Sequence, residues 1–342
     1  MDKELERYSR QVLFPGIGEE GQRKLRQSRV LLVGCGALGS NIANTMVRAG
    51  VGKITIVDRD FLELNNLQRQ LLFDEEDVAK SLPKAVAAAE KLRKINSEVE
   101  IVPIVADVNP SNIEQLVRDV DVVLDGTDNF EVRYLINDAC VELGKPWVYG
   151  GVLASYGVSM TIIPHETPCL RCIFLESPPP GTTPTCDTAG VLASIVSLIA
   201  SIECTEAMKL LVGATDRINR GMIWVDVWDN SFERVQGSQI SADCPACVQG
   251  NYEFLEAKEG THTTSLCGRH AVQVSVRGDR SISFPELAAR LSSVGQVRYN
   301  EYMLRFAVNG YEMVVFPDGR AMVNGTTDES LARTLYARYV GV

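Results

Sequence analysis

The chain has 342 residues, a formal net charge of −10 and a pI of about 5.0, with 45% hydrophobic and 23% charged residues. That length suits two domains of ordinary size, and the composition is that of a globular chain able to bury a large core. The acidic balance argues against a partner with a phosphate backbone, so nucleic acid is not expected.

The first residues, MDKELERYSR, are charged and carry no apolar signal-peptide core, which points to a cytoplasmic protein. Residues 3–14 and 19–28 read as two short helices, so residues 1–28 are expected to form an N-terminal helical arm. A strand follows over 29–34, then a helix over 39–49 with Ile42, Met46 and Val47 on one face, then a strand over 53–58. Further on, helices are expected at 84–96, 111–120 and 132–144, and strands at 100–105, 121–128 and 146–151. This alternation predicts an α/β fold with a doubly wound, Rossmann-like, mostly parallel sheet.

After residue 150 the pattern changes. GVSMTIIP (157–164) reads as an antiparallel strand, and 222–228 with 232–236 as a hairpin returning to the sheet, so the sheet gains an antiparallel extension. Between them lies AGVLASIVSLIASIECTEAMKLLVG (189–213). Its uncharged run stops at Ile202, and Glu203, Glu206 and Lys209 then break it, so a buried or interface helix is expected and no membrane span. The nucleotide-type domain is expected over 29–255. EAKEGTHTTS (256–265) reads as a polar linker, and 266–342 as a small C-terminal α+β module with hairpin turns at Asn309-Gly310 and Asp318-Gly319 and a last helix capped by Asp328.

Gly34-Cys35-Gly36-Ala37-Leu38-Gly39 joins the first strand to its helix and fits G-x-G-x-x-G. Gly34 permits the tight turn, Gly36 lets a phosphate approach the backbone, and Gly39 lets helix and strand pack closely. The helix N-terminus offers unpaired N–H groups to an anion, and Asp58 ends the second strand where a ribose-binding carboxylate belongs. A tight turn with no ligand is the bland alternative. GVGKIT (50–55) imitates a P-loop ending but lacks the earlier glycine and has Ile54 in place of Ser/Thr.

The turn alone does not separate NAD from ATP. DRDFLELNNLQRQLLF (58–73) places Asn65, Asn66, Gln68, Arg69 and Gln70 just past a strand end; Lys84 opens the next helix and Asp128 sits at another strand tip. Two cations and a metal-capable carboxylate beside a phosphate turn suit a reaction at phosphorus. An NAD-dependent dehydrogenase explains Gly34, Gly36, Gly39 and Asp58 but leaves Arg69, Lys84 and Asp128 idle.

RYSRQ, GCGALGS, VDRDFLELNNLQRQ, LPKA, DGTDN, two C-x-x-C pairs and TCDTAG come in the order typical of the ThiF/MoeB family, which these motifs resemble over about residues 5–250. The C-terminal module is similar to the extra domain of the longer, Bacillus-type members. The resemblance implies an ATP-dependent adenylyltransferase acting on the C-terminal Gly-Gly carboxylate of a small ubiquitin-like sulfur-carrier protein. A ThiS-type carrier of thiamin thiazole synthesis is favoured; MoaD-type activation for molybdopterin, or another ubiquitin-like modifier, is the alternative. It further implies that Gly34, Gly36 and Gly39 face the ATP phosphates and Asp58 the ribose. Asn66, Arg69 and Lys84 would hold the triphosphate, Asp128 the Mg²⁺, and Arg10 would reach the partner subunit's site in a homodimer. A cysteine desulfurase or similar sulfur donor is an expected second partner.

Nine cysteines in a chain without an export signal suggest thiol or metal chemistry in a reducing compartment. Cys169-x-x-Cys172 and Cys244-x-x-Cys247 suit a closed Zn²⁺ site if the fold brings them together, with a redox pair as the alternative. His165, near the first pair, is expected to be a spare surface residue. Cys186 precedes a helix N-terminus, which lowers a thiol pKa; in some family members this position takes part in acyl-disulfide sulfur transfer. Cys35, Cys140, Cys204 and Cys267 are expected to pack as small apolar residues.

Overall fold

The computed structural model describes residues 3–176, 189–235, 239–256, 262–266, 270–275 and 282–340; Cys186 and Cys267 lie outside them. The chain divides into two compact units, Met1–Ala257 and Lys258–Val342.

The first unit opens with a 3-10 helix (Lys3–Tyr8) running into α1 (Ser9–Val12), followed by α2 (Gly18–Gln27). Strands and helices then alternate: β1 (Arg29–Val33), α3 (Ala37–Ala49), β2 (Lys53–Val57), α4 (Glu75–Ala79), α5 (Lys84–Ile95), β3 (Glu100–Ile104), α6 (Ile113–Arg118), β4 (Val122–Asp125), α7 (Phe130–Glu142) and β5 (Trp147–Leu153). Thereafter come β6 (Tyr156–Ile162), α8 (Leu170–Ile173), α9 (Ala193–Val212), β7 (Met222–Asp226), β8 (Ser231–Val235) and α10 (Glu253–Glu256). The eight strands lie in the order β3-β2-β1-β4-β5-β6-β7-β8. β3 through β5 pair in parallel and β5 through β8 antiparallel, as the change of pattern after residue 150 predicts.

The central parallel strands β1 and β4 are apolar on both faces because both faces are covered. Val30, Leu32, Ile54, Ile56, Val122 and Leu124 join one core with Ile42, Met46 and Val47 of α3, the alanines and Leu92 of α5, and Ile195, Val196 and Ile199 of α9. Leu31, Val33, Val57, Val123 and Trp147 point the other way, onto Ile113 and Val117 of α6 and Tyr134, Ile136 and Cys140 of α7. α9 is thus a core helix on one face, and none of the described helices is long and apolar enough to cross a membrane. Two of the charges that interrupt its apolar run are themselves buried: Glu206 pairs with Lys209 and accepts from Thr161 Oγ1 and the Asn219 N–H, while Glu203 has no exposed surface.

The second unit has a six-stranded antiparallel sheet in the order β11-β12-β13-β14-β10-β9, built from β9 (His262–Leu266), β10 (Ala271–Ser275), β11 (Gln296–Tyr299), β12 (Leu304–Val308), β13 (Tyr311–Val315) and β14 (Ala321–Asn324). Helices α11 (Phe284–Leu291) and α12 (Glu329–Tyr339) close its core through Leu287, Leu291, Leu335 and Tyr336. Asn309 and Gly310, both at positive φ, make the β12–β13 turn, and the Asp328 side chain accepts from the Ser330 and Leu331 N–H groups at the start of α12. One expectation differs: the stretch taken as linker over 256–265 contains most of β9, whose Thr-rich sequence suits a ladder against β10 without carrying an apolar run.

Candidate active site

Strand order reverses at β1, with β2 on one side and β4 on the other, so the carboxyl ends of β1, β2 and β4 border the crevice where such sheets take ligands. The glycine turn occupies the end of β1. Gly34 has φ +87°, and a Cβ there would lie 2.5 Å from Gly126 O; a Cβ on Gly39 would lie 2.0 Å from Gly34 O. These two glycines allow β1, α3 and the end of β4 to touch. A Cβ on Gly36 would meet nothing nearer than Gln70 Nε2 at 3.9 Å, so the backbone there is open to a ligand. Gly126 was not singled out in the sequence, yet its Cβ would lie 2.3 Å from Gly34 O.

Asp58, just past β2, accepts from the Cys35 N–H (2.6 Å) with one oxygen and the Asp60 N–H (2.6 Å) with the other, which ties the glycine turn to the second strand. Burial pushes its carboxyl above the ordinary carboxylate range; the Lys84 ammonium opposes the rise and Asp60 adds to it. Lys84 begins α5 after Pro83. Its ammonium is buried and pairs with Asp60 Oδ2 at 3.1 Å, while its N–H donates to Asp60 O at 2.9 Å. Asp60 is therefore the group that holds Lys84 at the strand ends.

The segment after β2 folds on itself. Asn66 is buried; its Oδ1 accepts from the Glu63 N–H and its Nδ2 donates to Asn65 Oδ1, so the side chain closes its own 3-10 turn. Arg69 is partly buried, with Nη1 donating to Asn65 O at 2.8 Å. Gln70 is buried with its Oε1 lacking a hydrogen-bond partner among the described residues, beside the open Gly36. Arg59, which sequence reasoning did not single out, pairs with Asp107 at 2.8 Å; burial would lower its pKa, but Asp107, Asp60 and Asp128 outweigh that and keep it charged.

Asp128 is exposed in the loop after β4, and the Asn129 side chain next to it caps α7 by accepting from the Val132 N–H. An exposed carboxylate at the ends of the parallel strands is a donor of the kind Mg²⁺ takes, since that ion shares its coordination among a carboxylate, phosphate oxygens and waters. Arg10 lies on α1 and is exposed.

The two C-x-x-C pairs meet on the other side of the sheet. The sulfurs of Cys169, Cys172, Cys244 and Cys247 all lie within 4.8 Å of one another, with closest pairs at 3.4, 3.5 and 3.8 Å. A tetrahedral zinc with Zn–S of ~2.3 Å requires sulfurs about 3.8 Å apart, so the set fits. The clustered thiols share their protons: the hydrogen bond from Cys169 lowers Cys172 and raises Cys169 itself, while burial and the neighbouring sulfurs also raise Cys169 and Cys247. His165 is no ligand in this arrangement; its Nδ1 faces Cys247 O at 3.2 Å.

The model of the ThiF family matches residues 8–246. The chain is 41% identical to the sulfur carrier protein ThiS adenylyltransferase of Bacillus subtilis, covering 98% of this chain and 99% of that one. It is 40% identical to the SAMP-activating enzyme E1 of Haloferax volcanii over 74% of this chain and 92% of the other. Among solved structures it is similar to E. coli MccB with MccA-N7isoASN, with a TM-score of 0.63 and 22% identity over 72% of this chain and 75% of that one; this likeness shows the fold.

Proposed function

The chain belongs to the ThiF family, and on that premise we propose that it is an ATP-dependent adenylyltransferase that activates the C-terminal Gly-Gly carboxylate of a ThiS-type sulfur-carrier protein. The observation that carries this reading is the gathering of an open glycine turn, Asp58, Lys84 and Asp128 at the ends of three adjacent strands, in a chain 41% identical over nearly its whole length to a ThiS adenylyltransferase. A dehydrogenase would have no use for the Asp60-held Lys84 or the exposed Asp128.

In this reading, the N–H groups of the Gly34–Gly39 turn and the start of α3 bind the ATP phosphates, and Asp58 receives a ribose hydroxyl. The carrier's carboxylate attacks the α-phosphorus; the P–O bond to the β,γ-phosphates breaks, giving an acyl-adenylate and pyrophosphate. The nucleophile is already an anion, so no general base is required. Lys84 and Arg69 offset charge on the departing pyrophosphate, Asn66 fixes the loop that bears Arg69, and Mg²⁺ held by Asp128 would add charge neutralisation. Arg10 acts on the site of a second subunit in a homodimer. A cysteine desulfurase or similar donor supplies, as the outer sulfur of a persulfide, the sulfur that displaces AMP; Cys186 enters the resulting acyl disulfide by thiol–disulfide exchange, and a thiol reductant then releases the thiocarboxylate.

The test is ATP–pyrophosphate exchange against a panel of Gly-Gly carriers. A ThiS-type carrier should support the fastest exchange, and Asp128→Ala should lower it by ~100-fold or more. Fastest exchange with a MoaD-type carrier would move the assignment to that branch, and an unaffected Asp128→Ala would remove Asp128 from the site. Cys186→Ser should leave exchange intact while abolishing thiocarboxylate formation; undiminished thiocarboxylate would sink the role given to Cys186.

A further inference from the structure

Arg133 lies in the first turn of α7 with its side chain buried. Its Nε donates to Asp125 Oδ2 at 2.8 Å, and its Nη2 donates to Thr127 O at 2.8 Å and to Gly150 O at 2.9 Å. Asp125, the last residue of β4, is fully buried and uses its other oxygen to accept from the Thr127 N–H (2.8 Å) and Thr127 Oγ1 (2.7 Å). Thr127, immediately before Asp128, thus has its N–H, hydroxyl and carbonyl all bonded to one buried ion pair. The guanidinium also lies over the rings of Phe130 (5.5 Å) and Tyr149 (5.3 Å), which leave it little room to move.

A buried ion pair is a poor way to stabilise a core, because taking two charges out of water is costly and apolar residues of the same size often do as well. What such a pair supplies is direction: the planar fork of arginine reaches several acceptors in fixed geometry, which lysine does not. Here the acceptors are the end of β4, the loop above it and the neighbouring strand β5. From this geometry we infer that Arg133, acting through Asp125 and Thr127, is a positioning residue that fixes the loop bearing Asp128 against β5. Asp128 then meets Mg²⁺ and phosphate from one place, without reorganising the loop at each turnover. The functional half of this inference rests on the adenylylation reading; the placement of the loop does not.

The experiment uses Arg133→Lys, which keeps the charge and loses the fork. Hydrogen–deuterium exchange on the ligand-free protein reads the loop: peptides spanning 125–130 should exchange ~10-fold faster or more, with those spanning 29–58 unchanged. In the pyrophosphate-exchange assay the Mg²⁺ concentration for half-maximal rate should rise ~10–100-fold, while the KM for ATP at saturating Mg²⁺ stays within about twofold. Adding Arg133→Lys to Asp128→Ala should produce no further loss. Unchanged loop exchange, exchange raised throughout the chain, a parallel rise in ATP KM, or additive losses would each overturn the inference. A wild-type protein without exchange activity would overturn the adenylylation reading and the role in turnover, while the loop peptides would still decide whether Arg133 anchors residues 125–130. Thr127→Val, which removes only the hydroxyl bond to Asp125, is the second variant if Arg133→Lys does not fold; it should move the same readings in the same direction by a smaller factor.

Discussion

Glu203 has no exposed surface, and neither carboxylate oxygen has a hydrogen-bond partner among the described residues. It packs against β5 so closely that a Cβ on Gly150 would lie 1.9 Å from its Oε1. Burial raises its pKa well above the ordinary value and Asp125 adds to the rise, against the opposing charge of Arg133. The folded protein therefore keeps a proton on Glu203 that the unfolded chain releases near the ordinary glutamate pKa. Stability from this residue is complete below that ordinary value and falls as pH rises toward the folded pKa, each tenfold in the proton equilibrium being worth about 1.4 kcal/mol. Glu203→Gln should remove this dependence. Urea unfolding at pH 5 and pH 8 should show a smaller loss of stability for the variant than for wild type, and an equal loss would mean that Glu203 is not held protonated. Nothing in the sequence announces this: Glu203 reads there only as a charge that breaks an apolar run. Arg133 is equally silent, because its partner Asp125 becomes a neighbour only when α7 folds back over the end of β4. The places of Asp58 and Lys84 were legible because each stands at an element boundary that hydrophobic periodicity marks; Asp128, expected at a strand tip, lies in the loop beyond β4, which ends at Asp125.

Secondary-structure elements were legible wherever the apolar period was clear. Alternation along β1, β2 and β4 splits their side chains between two cores, and the Ile42, Met46 and Val47 face of α3 is buried as its spacing predicts. β9 was missed because its sequence, HTTSL, has β propensity without apolar alternation, so only pairing with β10 reveals it. The knuckles lie between these cases: each C-x-x-C was visible, but their meeting depends on the connection through α9, β7 and β8. If they hold zinc, metal analysis should find about one ion per chain. Removing it should destabilise the first unit, since closing a chain loop of this length is worth about 4 kcal/mol in the entropy model, roughly a 10 °C fall in Tm for a unit of this size. Calorimetry before and after chelation checks this, and an unchanged Tm with the metal demonstrably gone would make the cluster dispensable.

At the scale of the whole molecule, the residues proposed to face the nucleotide come from the first unit, while the 41% identity to a ThiS adenylyltransferase runs on through the second. The proposed homodimer adds a condition: Arg10 of one subunit serves the Asp128 site of the other. Arg10→Ala and Asp128→Ala homodimers should each fall ~100-fold in exchange, and unfolding and refolding them together should restore about a quarter of the wild-type rate, since half the dimers are then mixed and each has one intact site. Failure to complement, with mixed dimers confirmed by mass spectrometry, would place Arg10 outside the partner's site.

A metal on the four sulfurs would also alter the connectivity of the polypeptide. Metal bound across Cys172 and Cys244 would turn the intervening 71 residues into a closed ring, from which the N-terminal strands and the second unit leave as two tails. A single backbone break inside the ring would leave the pieces joined at the knuckles, as a cut link leaves a clasped chain in one piece. The same break after the metal is withdrawn leaves packing alone to hold the halves.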